Sequence, residues 1–197
     1  MKDVILASVS VARASLLRQA GVCIETQAAG VDEDALKMSL LAEGSTPRDV
    51  ADALAEAKAV KISARRPGLV IGADTTLDLQ GQLYDKPVDL ADARRHLLAF
   101  RGQTHKLHSA VVIAEGGSPL WRHVATATLK VRPFSDAFLD AYIAAEDEAL
   151  LSSVGCYRLE GMGAQLFSMI EGDYFSILGL PLLPVLDFLR AQGVVTP

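Results

Sequence analysis

The stretch Val70–Asp89, VIGADTTLDLQGQLYDKPVD, decides how the rest of the chain is read. Leu69, Val70 and Ile71 form an aliphatic, β-branched run that fits a buried strand. Gly72 then relieves the backbone, and Asp74 is expected at the strand end, where open α/β sheets place their ligand crevices. A carboxylate there is costly unless it serves a cation or a proton transfer. The competing reading is a turn cap, because Asp is common in turns. Gln80–Gln82 reads as a turn between the run ending at Leu79 and an extended piece at Leu83–Tyr84, a hairpin. Lys86 follows directly. Pro87 biases its backbone toward an extended shape, and its ammonium is a point charge suited to phosphate oxygens. Taken singly, such a lysine is more often a solvated surface residue.

The N-terminal run ILASVSVARASLLRQAGV reads as strand, small-residue turn, helix. Val4–Leu6 is the strand, Ser8 and Ser10 are candidate caps, and Leu16, Leu17 and Ala20 share a helical face before the stop at Gly21. Unpaired backbone amides and the helix dipole favour an anion at this start. Arg13 near the first turn opposes that dipole, so an anion contact explains it as well as a solvated arginine does. A cleaved leader is not expected, since Asp3 spoils a basic start and serines break the apolar stretch.

DVADALAEAKAVKISARRPG carries strong helix formers and stops at Pro67–Gly68. Leu54, Ala57 and Lys61 share a face by helical spacing, and Lys58, four residues after Leu54, is expected to border the apolar stripe. Lys61, Arg65 and Arg66 near the helix end complement the dipole. Leu90–Phe100 reads as an amphipathic helix ended by Gly102, and THKLHSAVVIAEGGSPLWRHVATATLKV as two strands about an EGGSP turn. His105 and His108, three apart on a strand, point to opposite faces and do not suit a shared metal. Phe138, Ala141, Tyr142 and Ala145 mark another helix, and a last one spans about Pro181 to Gln192, with Leu182, Val185, Leu186 and Leu189 as core.

A chain of 197 residues, half of them hydrophobic, is expected to form one domain over residues 1–197 or two tightly joined lobes. The net charge of −5 and the lack of a basic patch argue against nucleic acid, so the few clustered cations point to a small anion. No run approaches the roughly 20 apolar residues of a membrane span. Cys23 and Cys156 lie far apart without ligand spacing, which predicts reduced thiols in a cytoplasmic protein. Spacing alone gives an α/β fold and no more.

The segments LASVSVAR, IGADT, DKP, SVGCYRLEG, EGDY and GLP occur in this order across nearly the whole chain. Together they resemble the Maf family of nucleotide pyrophosphatases, which carries L-A-S-x-S-P-R-R, I-G-A-D-T, G-K-P, K-A-G-x-Y-x-I-Q-G, E-G-D-Y and G-L-P. The resemblance implies a mixed sheet flanked by helices, two lobes with a cleft between them, and a homodimer. It also implies a metal-dependent hydrolase that cuts a nucleoside triphosphate between its α- and β-phosphates. On this resemblance Asp74 is the catalytic acid that orients or deprotonates water, a role typically contributing about 10²- to 10⁴-fold in rate. Thr75 follows it as a hydroxyl donor, and Ser8, Arg13, Lys58 and Lys86 match positions that line the phosphate site. Glu33, in the acidic loop VDED, matches an acidic position which with Asp74 would hold magnesium or manganese. Such hard cations accept one or two carboxylates completed by phosphate oxygens. The alternative function is a nucleotide-binding regulator of cell division that keeps the pocket without turnover.

Three departures bear on activity. Val11 and Ala12 replace the family's proline and first arginine, and Ser153 replaces a lysine, so two cations are missing. Glu160 stands where members acting on uridine and thymidine triphosphates have glutamine and the 7-methylguanosine subgroup has glutamate. A carboxylate only accepts hydrogen bonds, which suits the adjacent N–H donors of guanine, whereas an amide suits the mixed edge of uracil. Arg158 also resembles a lysine of that subgroup, while Ala73 and Thr75 in IGADT are closer to the pyrimidine type. The balance leans slightly toward a guanine-type base.

Overall fold

The computed structural model describes residues 3–196 and shows an α/β protein with a mixed, seven-stranded open sheet flanked by helices. The strands are β1 (Val4–Leu6), β2 (Glu25–Thr26), β3 (Leu69–Leu79), β4 (Gln82–Tyr84), β5 (Thr104–Glu115), β6 (Ser118–Val131) and β7 (Phe167–Glu171). The α-helices are α1 (Val11–Gln19), α2 (Glu33–Ala42), α3 (Pro47–Ser63), α4 (Leu90–Phe100), α5 (Asp136–Glu146), α6 (Tyr174–Ile177) and α7 (Leu182–Ala191). The sheet order is β2-β1-β3-β5-β6-β7, with β4 paired to β3. The chain divides into two compact units. The first comprises residues 3–75, 109–125 and 173–196; the second comprises 76–108 and 126–172.

In the first unit β1 runs parallel to both β2 and β3, and Val4, Ile5 and Leu6 pair with Leu69, Val70 and Ile71. Alternation along β3 sends successive side chains to opposite faces. Leu69, Ile71 and Ala73 join Leu17, Val111, Ile113, Val185 and Leu189 in the cluster under α1 and α7. Val70 packs with Ile62 of α3. Gly72 faces the same helix, and a Cβ built on it would lie 2.1 Å from the Ala55 carbonyl oxygen and 2.6 Å from the Ala59 nitrogen. The glycine therefore serves close helix approach, not the backbone relief expected from sequence. Ala51, Ala55 and Ala59 meet Ala110, Val112 and Ala114 on this face, a layer of small side chains that lets α3 sit near the sheet.

The second unit holds an aromatic core. Tyr84 packs on His96 and Phe100, Phe100 on His105, and Tyr157 edge-on to Phe167 at 4.8 Å. The buried His105 ring bonds to the Tyr157 hydroxyl at 2.8 Å, and burial pushes its pKa down to about 4. The β3–β4 hairpin turns at Gln80 and Gly81, both at positive φ, and Asp78 accepts from the Gly81 N–H.

Several boundaries differ from the sequence expectations. β3 does not stop near Asp74 but runs to Leu79, because it changes partners from β1 to β4 along its length. VDED is loop only through Val31 and Asp32: Asp32 caps α2, and Glu33 is the first residue of that helix. The buried residues of α3 include Val50, Ala51, Leu54, Ala55, Lys58, Ala59 and Ile62, so Lys58 lies within the buried face and Ala57 and Lys61 outside. α3 also starts earlier, at Pro47, behind a capping box of Thr46 and Asp49. Among the described residues both cysteines are free thiols, and no helix is long and apolar enough to cross a membrane.

Candidate active site

Asp74 follows Val70 and Gly72 by the two-residue period that points to α3, and there it meets Lys58. The Lys58 Nζ donates to Asp74 Oδ1 at 2.6 Å and lies 2.9 Å from Glu33 Oε2. Lys58 is 6% exposed and Asp74 9%. Three elements build this cluster: the small-residue face of α3 brings the ammonium to the sheet, β3 supplies Asp74, and the start of α2 supplies the half-exposed Glu33. Two carboxylates converge on one ammonium, a set of anionic oxygens that suits a divalent cation or a proton transfer. A buried lysine of this kind offsets its desolvation only through such pairing.

Arg13 approaches the same stretch of β3 from α1. Its Nη1 donates to the Ala73 carbonyl at 3.0 Å and to Ser8 Oγ at 3.4 Å, Nη2 donates to Thr75 Oγ1 at 3.1 Å, and Nε donates to the Gly179 carbonyl at 2.8 Å. The guanidinium thus grips the residues on either side of Asp74. Enclosure lowers its pKa from the ordinary arginine value, and the charges of Asp74 and Glu33 partly offset that. Ser10 caps α1 and Ser8 accepts from the Ser10 N–H, so the small-residue turn is ordered by its own side chains. Ser8, Arg13, Glu33, Lys58, Asp74 and Thr75 therefore assemble in the first unit.

Lys86 and Glu160 belong to the second unit. Lys86 is exposed and lines a hollow of about 390 Å³ with Tyr84, Asp92, Arg95 and His96. Glu160 is exposed, 3.6 Å from the Arg158 guanidinium. Cys156 is buried 3.7 Å from His96, and burial pushes its thiol up to about 12, so it is not a poised nucleophile.

Sequence reasoning missed Ser109, Asp173, Ser176 and Gly179 as neighbours of this site. Ser109 donates to the Ser176 carbonyl at 2.6 Å and pairs with Thr75 Oγ1 at 3.1 Å, while Asp173 caps α6 by accepting from both the N–H and hydroxyl of Ser176. Ser109 stood out in sequence as a lone hydroxyl opening the apolar run AVVIA, and Asp173 and Gly179 lie within the EGDY and GLP segments, but no local pattern ties any of them to Thr75.

The fold and this cluster define a class: an α/β protein with a buried lysine bridging two carboxylates beside an arginine-clamped strand. The chain belongs to the Maf family; the profile described as Maf-like protein matches residues 3–192. It is 64% identical over 196 residues to a Caulobacter vibrioides protein named nucleoside triphosphate pyrophosphatase, covering 100% of this chain and 98% of that one. A Granulibacter bethesdensis protein of the same name is 56% identical, with 98% of each chain covered. A Rhizobium meliloti protein named 7-methyl-GTP pyrophosphatase is 50% identical, with 97% of this chain and 96% of that one covered.

Proposed function

We propose that this protein is a nucleoside triphosphate pyrophosphatase, a hydrolase that attacks the α–β phosphate anhydride with water and releases a nucleoside monophosphate and pyrophosphate. The observation that carries the reading is the buried Lys58–Asp74 pair joined by the half-exposed Glu33, found in a chain whose relatives bear that activity in their names. Asp74 accepts the proton of the attacking water. Lys58 fixes the Asp74 carboxylate through its 2.6 Å bond and adds positive charge next to the phosphates. Ser8 and Arg13 complement the triphosphate tail, each charge-assisted contact contributing roughly 1.5–3 kcal/mol, and a phosphate-contacting role for Lys86 rests on the family resemblance alone. Glu33 and Asp74 fit a magnesium-type cation, since two carboxylates completed by phosphate oxygens satisfy such an ion. When bound it would neutralise charge developing on the phosphates. A homodimer is proposed from the family resemblance, and a cytoplasmic location from the two widely spaced cysteines.

Base preference is the finer part of the proposal. Glu160 offers an acceptor-only edge, which favours a guanine-type ring such as that of 7-methyl-GTP.

The test is pyrophosphate release with magnesium or manganese across standard, methylated and deaminated nucleoside triphosphates. Turnover is expected to vanish in Asp74→Asn, and Glu160→Gln is expected to shift preference toward pyrimidines. Nucleotide binding without pyrophosphate in the wild type would replace this reading with a non-catalytic regulator.

A further inference from the structure

Donor and acceptor accounting around Thr75 assigns each hydrogen. A hydroxyl carries one hydrogen and two acceptor sites, and a carbonyl only accepts. Ser109 Oγ spends its hydrogen on the Ser176 carbonyl at 2.6 Å. In its 3.1 Å contact with Thr75 it must therefore accept, so the Thr75 hydroxyl hydrogen points to Ser109. Arginine cannot accept, so Thr75 Oγ1 receives the Arg13 Nη2 hydrogen at 3.1 Å. The chain of bonds has one permitted direction: Arg13 to Thr75 to Ser109 to the Ser176 carbonyl. Its far end is fixed by Asp173, which accepts from both the N–H and hydroxyl of Ser176 at 2.7 Å. The Arg13 end is held a second time where Nε donates to the carbonyl of Gly179, a residue at φ +103° whose added Cβ would sit 3.4 Å from that nitrogen. Ser109 and Ser176 are 1% and 2% exposed, so water does not compete.

We infer that Ser109 is a positioning residue for the reaction. Through Thr75 it locks the Arg13 guanidinium, which holds the backbone and side chain on either side of Asp74 and so sets the direction of that carboxylate. This rests on the proposed pyrophosphatase activity. It also revises the role expected of Thr75: its only hydrogen is committed to Ser109, so it orients Arg13 and does not donate to substrate. It explains further why the EGDY and GLP segments, distant in sequence, accompany IGADT: Asp173 and Gly179 anchor the two ends of the clamp.

Two measurements on the 197-residue chain test the inference. In the first, Ser109→Ala is expected to lower kcat about tenfold with KM held within about twofold. Thr75→Val does the same, and the double variant falls no further than the worse single one, because the two hydroxyls act as one unit. Additive losses, or a change confined to KM, would overturn the assignment. In the second, nitrogen-proton NMR reads the rotation of the Arg13 guanidinium. Separate Nη resonances are expected in the wild type, and rotation at least several-fold faster in Ser109→Ala. Rotation unaffected by the substitution would overturn the clamp. Should the wild type release no pyrophosphate from any nucleotide, the functional reading fails, and the NMR comparison still decides the clamp.

Discussion

Gly72→Ala tests the architecture that brings Lys58 to Asp74. The new methyl carbon would lie 2.1 Å from the Ala55 carbonyl oxygen, 2.6 Å from the Ala59 nitrogen and 2.9 Å from the Ala59 Cβ. All three are parts of α3 that cannot swing aside as a flexible side chain tip would. Ordinary contact begins near 3.4 Å, so helix and strand must part by roughly 1.3 Å. A gap of 0.5–1 Å already forfeits about a quarter to a half of each dispersion contact. The contacts at stake are those of Ala51, Ala55 and Ala59 with Ala110, Val112 and Ala114, and those of Ile62 with Val70. Overpacking of this kind costs about 1–3 kcal/mol, occasionally more. Replacing a strand glycine returns about 0.5–1 kcal/mol of backbone entropy. Three contacts under 3.0 Å, two of them with backbone atoms, put the cost at the upper end of that range, so a net loss of about 2 kcal/mol is expected, and a fall in Tm of about 4–8 °C at this chain length. Because α3 carries Lys58 and β3 carries Asp74, pyrophosphate release is expected to fall as well, measured at a temperature where the variant is fully folded. A Tm within 2 °C of wild type together with unchanged turnover would refute the reasoning, since a helix that yields so easily cannot be what fixes the Lys58–Asp74 distance.

Lys58→Met should destabilise the fold by about 2–4 kcal/mol in urea denaturation, because it leaves the buried Asp74 without its cation while the half-exposed Glu33 regains water. Adding Asp74→Asn should recover part of that loss; equal stability of all three proteins would show that the pair is not desolvated. His105 makes stability fall in acid. Its folded pKa is depressed to about 4 from 6.5 by burial, so between those values the unfolded chain binds a proton that the fold does not. Stability is then lost as pH drops from 6.5 toward 4, by up to about 3 kcal/mol. His105→Gln should flatten that part of the pH–stability curve, and an unchanged slope would exclude the histidine as its source.

Much of the secondary structure was legible because its signals are local. β1, α1, α4, the β3–β4 hairpin and α7 follow from apolar periodicity, capping serines and aspartates, and glycines or prolines at the ends. Misreadings arose where a residue's role depends on a distant partner. Gly72 read as backbone relief because the alanines it admits lie on another element. Glu33 looked like part of a loop because a ten-residue helix with no buried residue carries little apolar pattern. Lys58 appeared to border the core because helical spacing reports which positions share a face, not how wide the buried face is once a carboxylate on a neighbouring strand makes burial of an ammonium affordable.

By itself the sequence determined the α/β class and, through the order of its motifs, the family. It also named six residues that gather in one unit: Ser8, Arg13, Glu33, Lys58, Asp74 and Thr75. Tertiary structure alone decided their partners. Whether Arg13 reaches solvent or the backbone around Asp74, and which way the Thr75 hydroxyl points, depend on Ser109, Ser176 and Gly179, residues brought close only by folding. The physical reason is that periodicity and capping act over a few residues of chain, whereas hydrogen-bond direction and charge pairing are fixed by atoms within about 3 Å in space, wherever in the sequence they originate.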